Sequence, residues 1–232
     1  MVFEVSVPLP TAARPGVDTG AFAPAPRDPP TRARLGWGDR PVVLTVSRLE
    51  RRKGHDQMIL ALNRVRAAVP DVLYSVVGDG GERPRLEALA AREGLAGHVQ
   101  FVGAVADGDL LPYYQQCDLF ALPNRQEGQD IEGFGIVLVE AQACGKPVIA
   151  GASGGTAETM NSPETGCVVD CSTPALLGPL VAEWLADRPR LERMGAAARQ
   201  WAVERFDWSV LARQAQDLFR RRGAARTPVG AT

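Results

Sequence analysis

The sequence predicts an α/β fold: a Rossmann-like, doubly wound parallel sheet of about six strands, followed by C-terminal helices. Three observations carry this. Short apolar runs rich in β-branched residues recur between residues 42 and 170. Stretches of helical period separate them. After residue 172 the strand signal stops and only helical period remains. Strands and helices alternating at this spacing pair in parallel with helices on both faces. Right-handed crossovers then wind such a sheet outward in two directions.

Taken in order, residues 1–40 stand apart. Pro8, Pro10, Pro15, Pro24, Pro26, Pro29 and Pro30 crowd this segment, and no regular helix or central strand passes through them. It reads as a Pro-rich linker or wrapped arm, with a domain boundary near residue 40. RPGVDTGAF (14–22) reads as a compact turn anchored by Phe22. The first residues lack a basic stretch before their apolar ones, so they do not read as a signal peptide.

From residue 41 the pattern changes. The strand candidates are VVLTVS (42–47), LYSVVG (73–78), VQFVG (99–103), DLFALP (118–123), PVIAG (147–151) and CVVD (167–170). Several are apolar throughout, as strands covered on both faces are. The helix candidates between them are 55–69, 82–94, 108–117 and 135–144. In the first, Met58, Leu62, Val65 and Val69 recur at helical spacing. Gly94 and Gly145 stand where helix C-caps belong. Residues 41–186 are thus one Rossmann-like domain.

Residues 187–222 continue as C-terminal helices that pack on it, with Asp207 or Ser209 capping the last. Trp184, Trp201, Phe206, Trp208 and Phe219 read as aromatic anchors, and Arg220, Arg221 and Arg222 as a solvated helix end. Residues 223–232 read as a disordered tail.

Composition narrows the function classes. Lys plus Arg is 26 against 27 Asp plus Glu, so no global charge suggests a nucleic-acid partner. No apolar run approaches the ~20 residues that span a bilayer. Cys117, Cys144, Cys167 and Cys171 are irregularly spaced with no histidine completing a zinc pattern. They read as small core residues of a reduced, cytoplasmic protein.

In a doubly wound sheet the ligand lies at the carboxyl ends of the strands. That rim comprises loops 47–53, 78–82, 103–107, 123–135 and 151–158. The stretch 124–145, NRQEGQDIEGFGIVLVEAQACG, organises it. Glu132 and Glu140 are eight positions apart with Gly133 and Gly135 between them. Glycines let main chain approach a ligand closely, and the first turn of the following helix attracts phosphate. The two carboxylates can accept hydrogen bonds from sugar hydroxyls. Arg48 and Lys53, on the first loop, suit a diphosphate. Arg51 and Arg52 read as solvent-facing charges. Small residues in the third loop leave main chain to pair with a base edge. Neither His55 nor His98 has a Ser or Cys partner suggested by the sequence. No G-x-G-x-x-G is present, which counts against a nicotinamide dinucleotide.

SRLERRKG, VVGDGGERPRLE, VQFVGAV, EGFGIVLVEAQACGKPVIA and SGGTAE, in this order, resemble glycosyltransferase family 4. These are retaining enzymes of GT-B architecture, with two Rossmann-like domains facing across a cleft. RPGVDTGAF resembles the linker entering the second domain.

The resemblance implies roles position by position. Arg48 and Lys53 would bind the donor diphosphate and stabilise the leaving nucleotide. Glu132 would contact hydroxyls of the transferred sugar, completing the catalytic set. The backbone of Gly133, Phe134, Gly135 and Ile136 would hold sugar and phosphate, and Glu140 the ribose. The main chain at Val105 would meet the base, and Asp107 a guanine edge. It implies no metal and no cofactor beyond a GDP- or UDP-linked sugar substrate, with the stretch closest to enzymes using GDP-mannose. It also implies an N-terminal acceptor-binding domain ahead of this sequence. Peripheral membrane association would belong to the complete enzyme. This half alone would bind donor weakly and transfer nothing. A nucleotide-sugar epimerase of similar shape and a non-catalytic nucleotide-binding module are the competing readings.

Overall fold

The computed structural model describes residues 15–224. Residues 1–14 and 225–232, which hold the first prolines and most of the expected tail, lie outside the described residues. Among the described residues one sheet contains β1 (Val42–Val46), β2 (Leu73–Val77), β3 (Val99–Gly103), β4 (Leu119–Leu122), β5 (Val148–Gly151) and β6 (Gly166–Val169). All neighbours pair in parallel, in the order β3-β2-β1-β4-β5-β6. β1, β2, β4 and β5 are buried at every position, which is why their sequences are apolar without alternation. The chain leaves β1 in one direction, returns, and continues from β4 in the other. The crevice of a doubly wound sheet opens at this reversal.

Helices cover both faces. On one side α2 (His55–Ala68) and α3 (Arg83–Arg92) share a core with α6 (Pro174–Ala186) and α7 (Arg188–Phe206). Met58, Leu62, Val65, Leu86, Trp184 and Leu191 fill it against Val43 of β1. On the other side α4 (Leu111–Gln116) and α5 (Ile136–Ala143) bring Tyr114 and Leu138 onto Val42 and Leu44. α4 begins three residues later than the pattern suggested, because residues 107–109 form a separate 3-10 turn. α8 (Trp208–Ala224) ends the described chain and takes in residues 223 and 224, assigned above to the tail. Asp207 caps it by accepting from Ser209 N at 2.8 Å, and also from Thr19 Oγ1 at 2.5 Å. Trp184 and Phe206 anchor as expected. Trp208 and Phe219 do not, being 57% and 74% exposed; the Trp208 ring lies against Gly16 of the arm.

Residues 15–40 wrap the domain, and the proline count is misleading in one place. Pro29 and Pro30 are the first two residues of a short helix, α1 (Pro29–Arg34), where the absent N–H has no intrahelical partner to lose. Asp28 caps it by accepting from Thr31 N at 3.1 Å. Trp37 is fully buried and donates to Gln100 Oε1 at 2.9 Å. Arg32 is fully buried too. It donates to the carbonyls of Gly38, Gln116 and Arg40, lies over the Trp37 ring at 5.6 Å and sits 3.8 Å from Asp118.

Asp118 gathers what the arm brings. Its carboxylate takes Arg27 at 3.1 Å, Arg188 of α7 at 2.7 Å and the Val42 amide at 2.8 Å. Removing it strands a buried guanidinium without its counter-charge, a costly defect. Asp118→Ala is therefore expected to lose about 3 kcal/mol in urea unfolding. A change within a few tenths of a kcal/mol would remove Asp118 from this role.

Candidate functional site

Three loops fuse above the point where strand order reverses. After β1 the chain makes a 3-10 turn, Arg51–Lys53, then Gly54 with φ 71° starts α2. A Cβ on Gly54 would lie 1.8 Å from the Pro123 carbonyl oxygen, so only glycine lets this loop touch the one after β4. Arg125 N donates to Arg52 O at 2.8 Å, and the Arg125 guanidinium grips Asp56 with bonds of 2.7 and 3.1 Å. Asn124 joins the third loop, donating to Ser153 O at 2.9 Å and accepting from Gly151 N at 3.1 Å. Gly154 packs directly on Glu132 O, and Gly155 N donates to Gly133 O at 3.0 Å.

This clamp presents Glu132 with its side chain only 10% exposed. Lys53 Nζ reaches Glu132 Oε2 at 2.5 Å, and Arg52 Nη1 reaches the same oxygen at 2.9 Å. Arg52 is not the solvent-facing charge the sequence suggested. It lies on the inner side of the 3-10 turn, 16% exposed, with Nη2 3.0 Å from Glu50. Arg51, one position back, is exposed as expected. Arg48 is 71% exposed and pairs with Glu50 at 2.8 Å. The structure thus brings Lys53 to Glu132 directly, and Arg48 only through the chain Arg48–Glu50–Arg52–Glu132.

From Glu132 a bare track of main chain leads to α5. A Cβ at Gly133 would meet no atom within 4 Å, and Gly135, at φ 80°, is the residue from which α5 starts. Phe134 points inward against Phe206, with ring centroids 5.9 Å apart, so its backbone rather than its ring borders the track. Ile136 likewise packs on the cluster containing Phe206. The first amides of α5 have no partners within the helix. Glu140, one turn further, accepts from Tyr114 Oη at 2.6 Å. Burial raises its pKa, the Tyr114 bond lowers it and the nearby charge of Asp107 raises it again, for a net upward shift. Asp107 belongs to the 3-10 turn after β3, and Val105 packs just ahead of it. The expected site residues therefore trace a path from β1 and β4 towards β3, with Arg48 on its outer wall.

His55 differs from its sequence reading, because it does have a serine partner. Its Nε2 lies 3.0 Å from Ser47 Oγ and 3.3 Å from Arg48 O, and its Nδ1 lies 2.9 Å from Tyr74 Oη. Tyr74 donates to Thr45 and Thr45 to Ala121 O, so a buried polar chain supports the loop from below. The far nitrogen meets a phenol rather than a carboxylate, so no catalytic triad results. Burial pushes the imidazole down to about 4.

Sequence reasoning missed Arg52, Asn124, Tyr114 and the Asp56–Arg125 clamp. Asp56 in the first turn of α2 was visible. Its partner, 69 positions away, becomes a neighbour only once β1 and β4 are adjacent.

A Rossmann-like domain with cations, a carboxylate and open backbone at its crossover belongs to the nucleotide-binding α/β proteins. The family model for glycosyl transferases group 1 matches residues 28–201, and the chain belongs to that family. It is 42% identical over 218 residues to the GDP-mannose-dependent alpha-(1-6)-phosphatidylinositol monomannoside mannosyltransferase of Mycolicibacterium smegmatis. That match covers 91% of this chain and 56% of the relative, so the chain spans about half the length of the curated relatives it matches. Among solved structures it is similar to Anabaena HepE in complex with UDP, with a TM-score of 0.79 and 29% identity over 89% of this chain and 56% of that one. Sucrose-phosphate synthase from Thermosynechococcus elongatus gives a TM-score of 0.77 at 32% identity, covering 91% and 52%.

His55 makes the fold acid-sensitive in a definite direction. Its pKa is 6.5 when exposed and about 4 when folded. Between those values the unfolded chain binds a proton that the folded chain does not, so stability falls as pH drops below 6.5. Urea unfolding should show the advantage of wild type over His55→Gln shrinking by about 2 kcal/mol between pH 7.5 and pH 5. A pH-independent difference would contradict the neutral, buried assignment.

Proposed function

We propose that this chain is the donor-binding half of a retaining hexosyltransferase that takes its sugar from a nucleotide diphosphate, with GDP-mannose the preferred donor. The observation carrying this reading is the meeting of Lys53 and Glu132 at 2.5 Å, beside the bare backbone that leads into α5. A diphosphate needs the cation and the helix amides, and a hexose needs the carboxylate. Here they lie within one hydrogen bond of each other.

In this reading Lys53, with Arg48 from the outer wall, holds the diphosphate and stabilises charge on the departing nucleotide. Glu132 accepts from sugar hydroxyls, the backbone of Gly133, Phe134, Gly135 and Ile136 lies along sugar and phosphate, and Glu140 takes the ribose. Val105 and Asp107 border the base. The guanidinium and ammonium groups supply the positive charge that a metal would otherwise bring, so transfer is metal-independent. The guanine preference rests on the relatives named as GDP-mannose-dependent, against the UDP bound by HepE.

The acceptor site lies on a second domain, and the complete enzyme works in the cytoplasm at a membrane surface, on an acceptor of the phosphatidylinositol mannoside kind. Among the described residues no helix is long and apolar enough to cross a membrane. An epimerase is disfavoured by the histidines. His55 is buried under the loop, and His98 bonds Val72 O beyond the opposite end of the strands.

Calorimetric titration of the chain with GDP, UDP and ADP tests this. GDP is expected to bind tightest, and Glu140→Ala to weaken it roughly tenfold through the lost ribose contacts. Tightest binding by UDP would reject the guanine preference, and no binding by any of the three would reject the donor site.

A further inference from the structure

Arg52 and Lys53 both spend their contact with Glu132 on the same oxygen, Oε2. All three side chains are mostly withdrawn from solvent, so these ion pairs are poorly screened. The carboxylate intended for a hexose is thus already neutralised, and the ammonium intended for a diphosphate is already engaged. Glu50 links Arg52 on to Arg48, so one connected set of charges, Arg48, Glu50, Arg52, Glu132 and Lys53, spans the loop.

We infer that Arg52 belongs to the donor site: with Lys53 it latches Glu132 in the donor-free protein, and the donor's diphosphate opens the latch by drawing both cations to itself. Each phosphate of a nucleoside diphosphate is a stronger, multidentate acceptor for a guanidinium than one carboxylate oxygen is. Once the cations turn to it, Glu132 is a mostly buried carboxylate short of partners, and the hexose hydroxyls satisfy it. Sugar recognition is then conditional on the diphosphate. A free hexose meets an occupied carboxylate, whereas a hexose tethered to a diphosphate meets a released one.

This inference rests on the donor-site reading and makes a prediction which that reading alone does not. If Glu132 merely touches the sugar, changing it leaves affinity for sugar-free GDP untouched. If Glu132 competes for the cations, removing its charge strengthens GDP binding. The experiment is calorimetric titration of the chain with GDP and with GDP-mannose, using wild type, Glu132→Gln, Arg52→Gln and the double variant, with thermal unfolding to establish that each is folded.

The latch predicts that Glu132→Gln binds GDP roughly fivefold tighter, as for one partly buried ion pair, while losing the preference for GDP-mannose over GDP. Arg52→Gln is expected to bind GDP roughly fivefold more weakly, and the gain from Glu132→Gln to fall below about twofold in that background. Wild type that binds GDP while Glu132→Gln binds it equally or less well overturns the latch and leaves the donor site standing. Wild type that binds no nucleoside diphosphate overturns the donor site itself. If Glu132→Gln does not fold, Arg52→Gln alone decides, because GDP affinity equal to wild type would make Arg52 a structural residue only.

Discussion

Everything at the candidate site follows from two strands lying side by side. β1 and β4 are neighbours although their starts, Val42 and Leu119, lie 77 positions apart; the register pairs Val43 with Leu119, and between the two strands the sheet changes direction. Consecutive crossovers normally roof a parallel sheet. At a reversal they diverge and leave the carboxyl ends open. Here the opening is narrowed by backbone contact, since Gly54 meets the Pro123 carbonyl with no room for a side chain. That contact fixes the cationic turn of the first loop against the acidic, glycine-rich stretch of the fourth. It is a packing constraint first and an electrostatic arrangement second.

The electrostatics then complete the clamp. Asp56 and Arg125 pair at the base of the two loops, and Lys53 and Arg52 pair with Glu132 at the top. The lower pair is bidentate and serves to hold the loops. The upper set is not: two cations share one oxygen, and such a set can exchange partners with an incoming anion. A structural ion pair and an exchangeable one thus lie on the same pair of loops, distinguished by geometry rather than residue type. At the other end of the molecule Asp118 plays the structural part for Arg27, Arg32 and Arg188.

The strands were legible because burial on both faces removes polar alternation, and all six runs coincide with observed strands to within about a residue. Glu132 and Lys53 were legible because they flank glycines ahead of helix starts, and Glu140 because it follows Glu132 by eight positions on the helix so begun, all of them local signals. What escaped was whatever depends on who sits beside whom. Pro29 and Pro30 looked like breakers, and whether a proline breaks a helix or opens one depends on its position in the turn. Arg51 and Arg52 look alike in sequence, and a 3-10 turn sends one outward and the other inward. Ser47 and His55 are eight positions apart, and only a loop folded back over Tyr74 makes them a pair. Trp208 and Phe219 read as aromatic anchors like Trp184 and Phe206, and only their neighbours in the fold decide that they stay largely exposed.

The central claim is that a diphosphate lies between Lys53 and the first turn of α5 and releases Glu132 to a sugar. A crystal structure of the chain with GDP-mannose tests it most directly. The account predicts phosphate oxygens on Lys53 and on the amides that follow Gly135, hexose hydroxyls on Glu132, and Arg52 turned from the carboxylate towards the phosphates. A nucleotide whose diphosphate lies away from the β1–β4 crossover would contradict it, as would a bound donor with both cations still on Glu132.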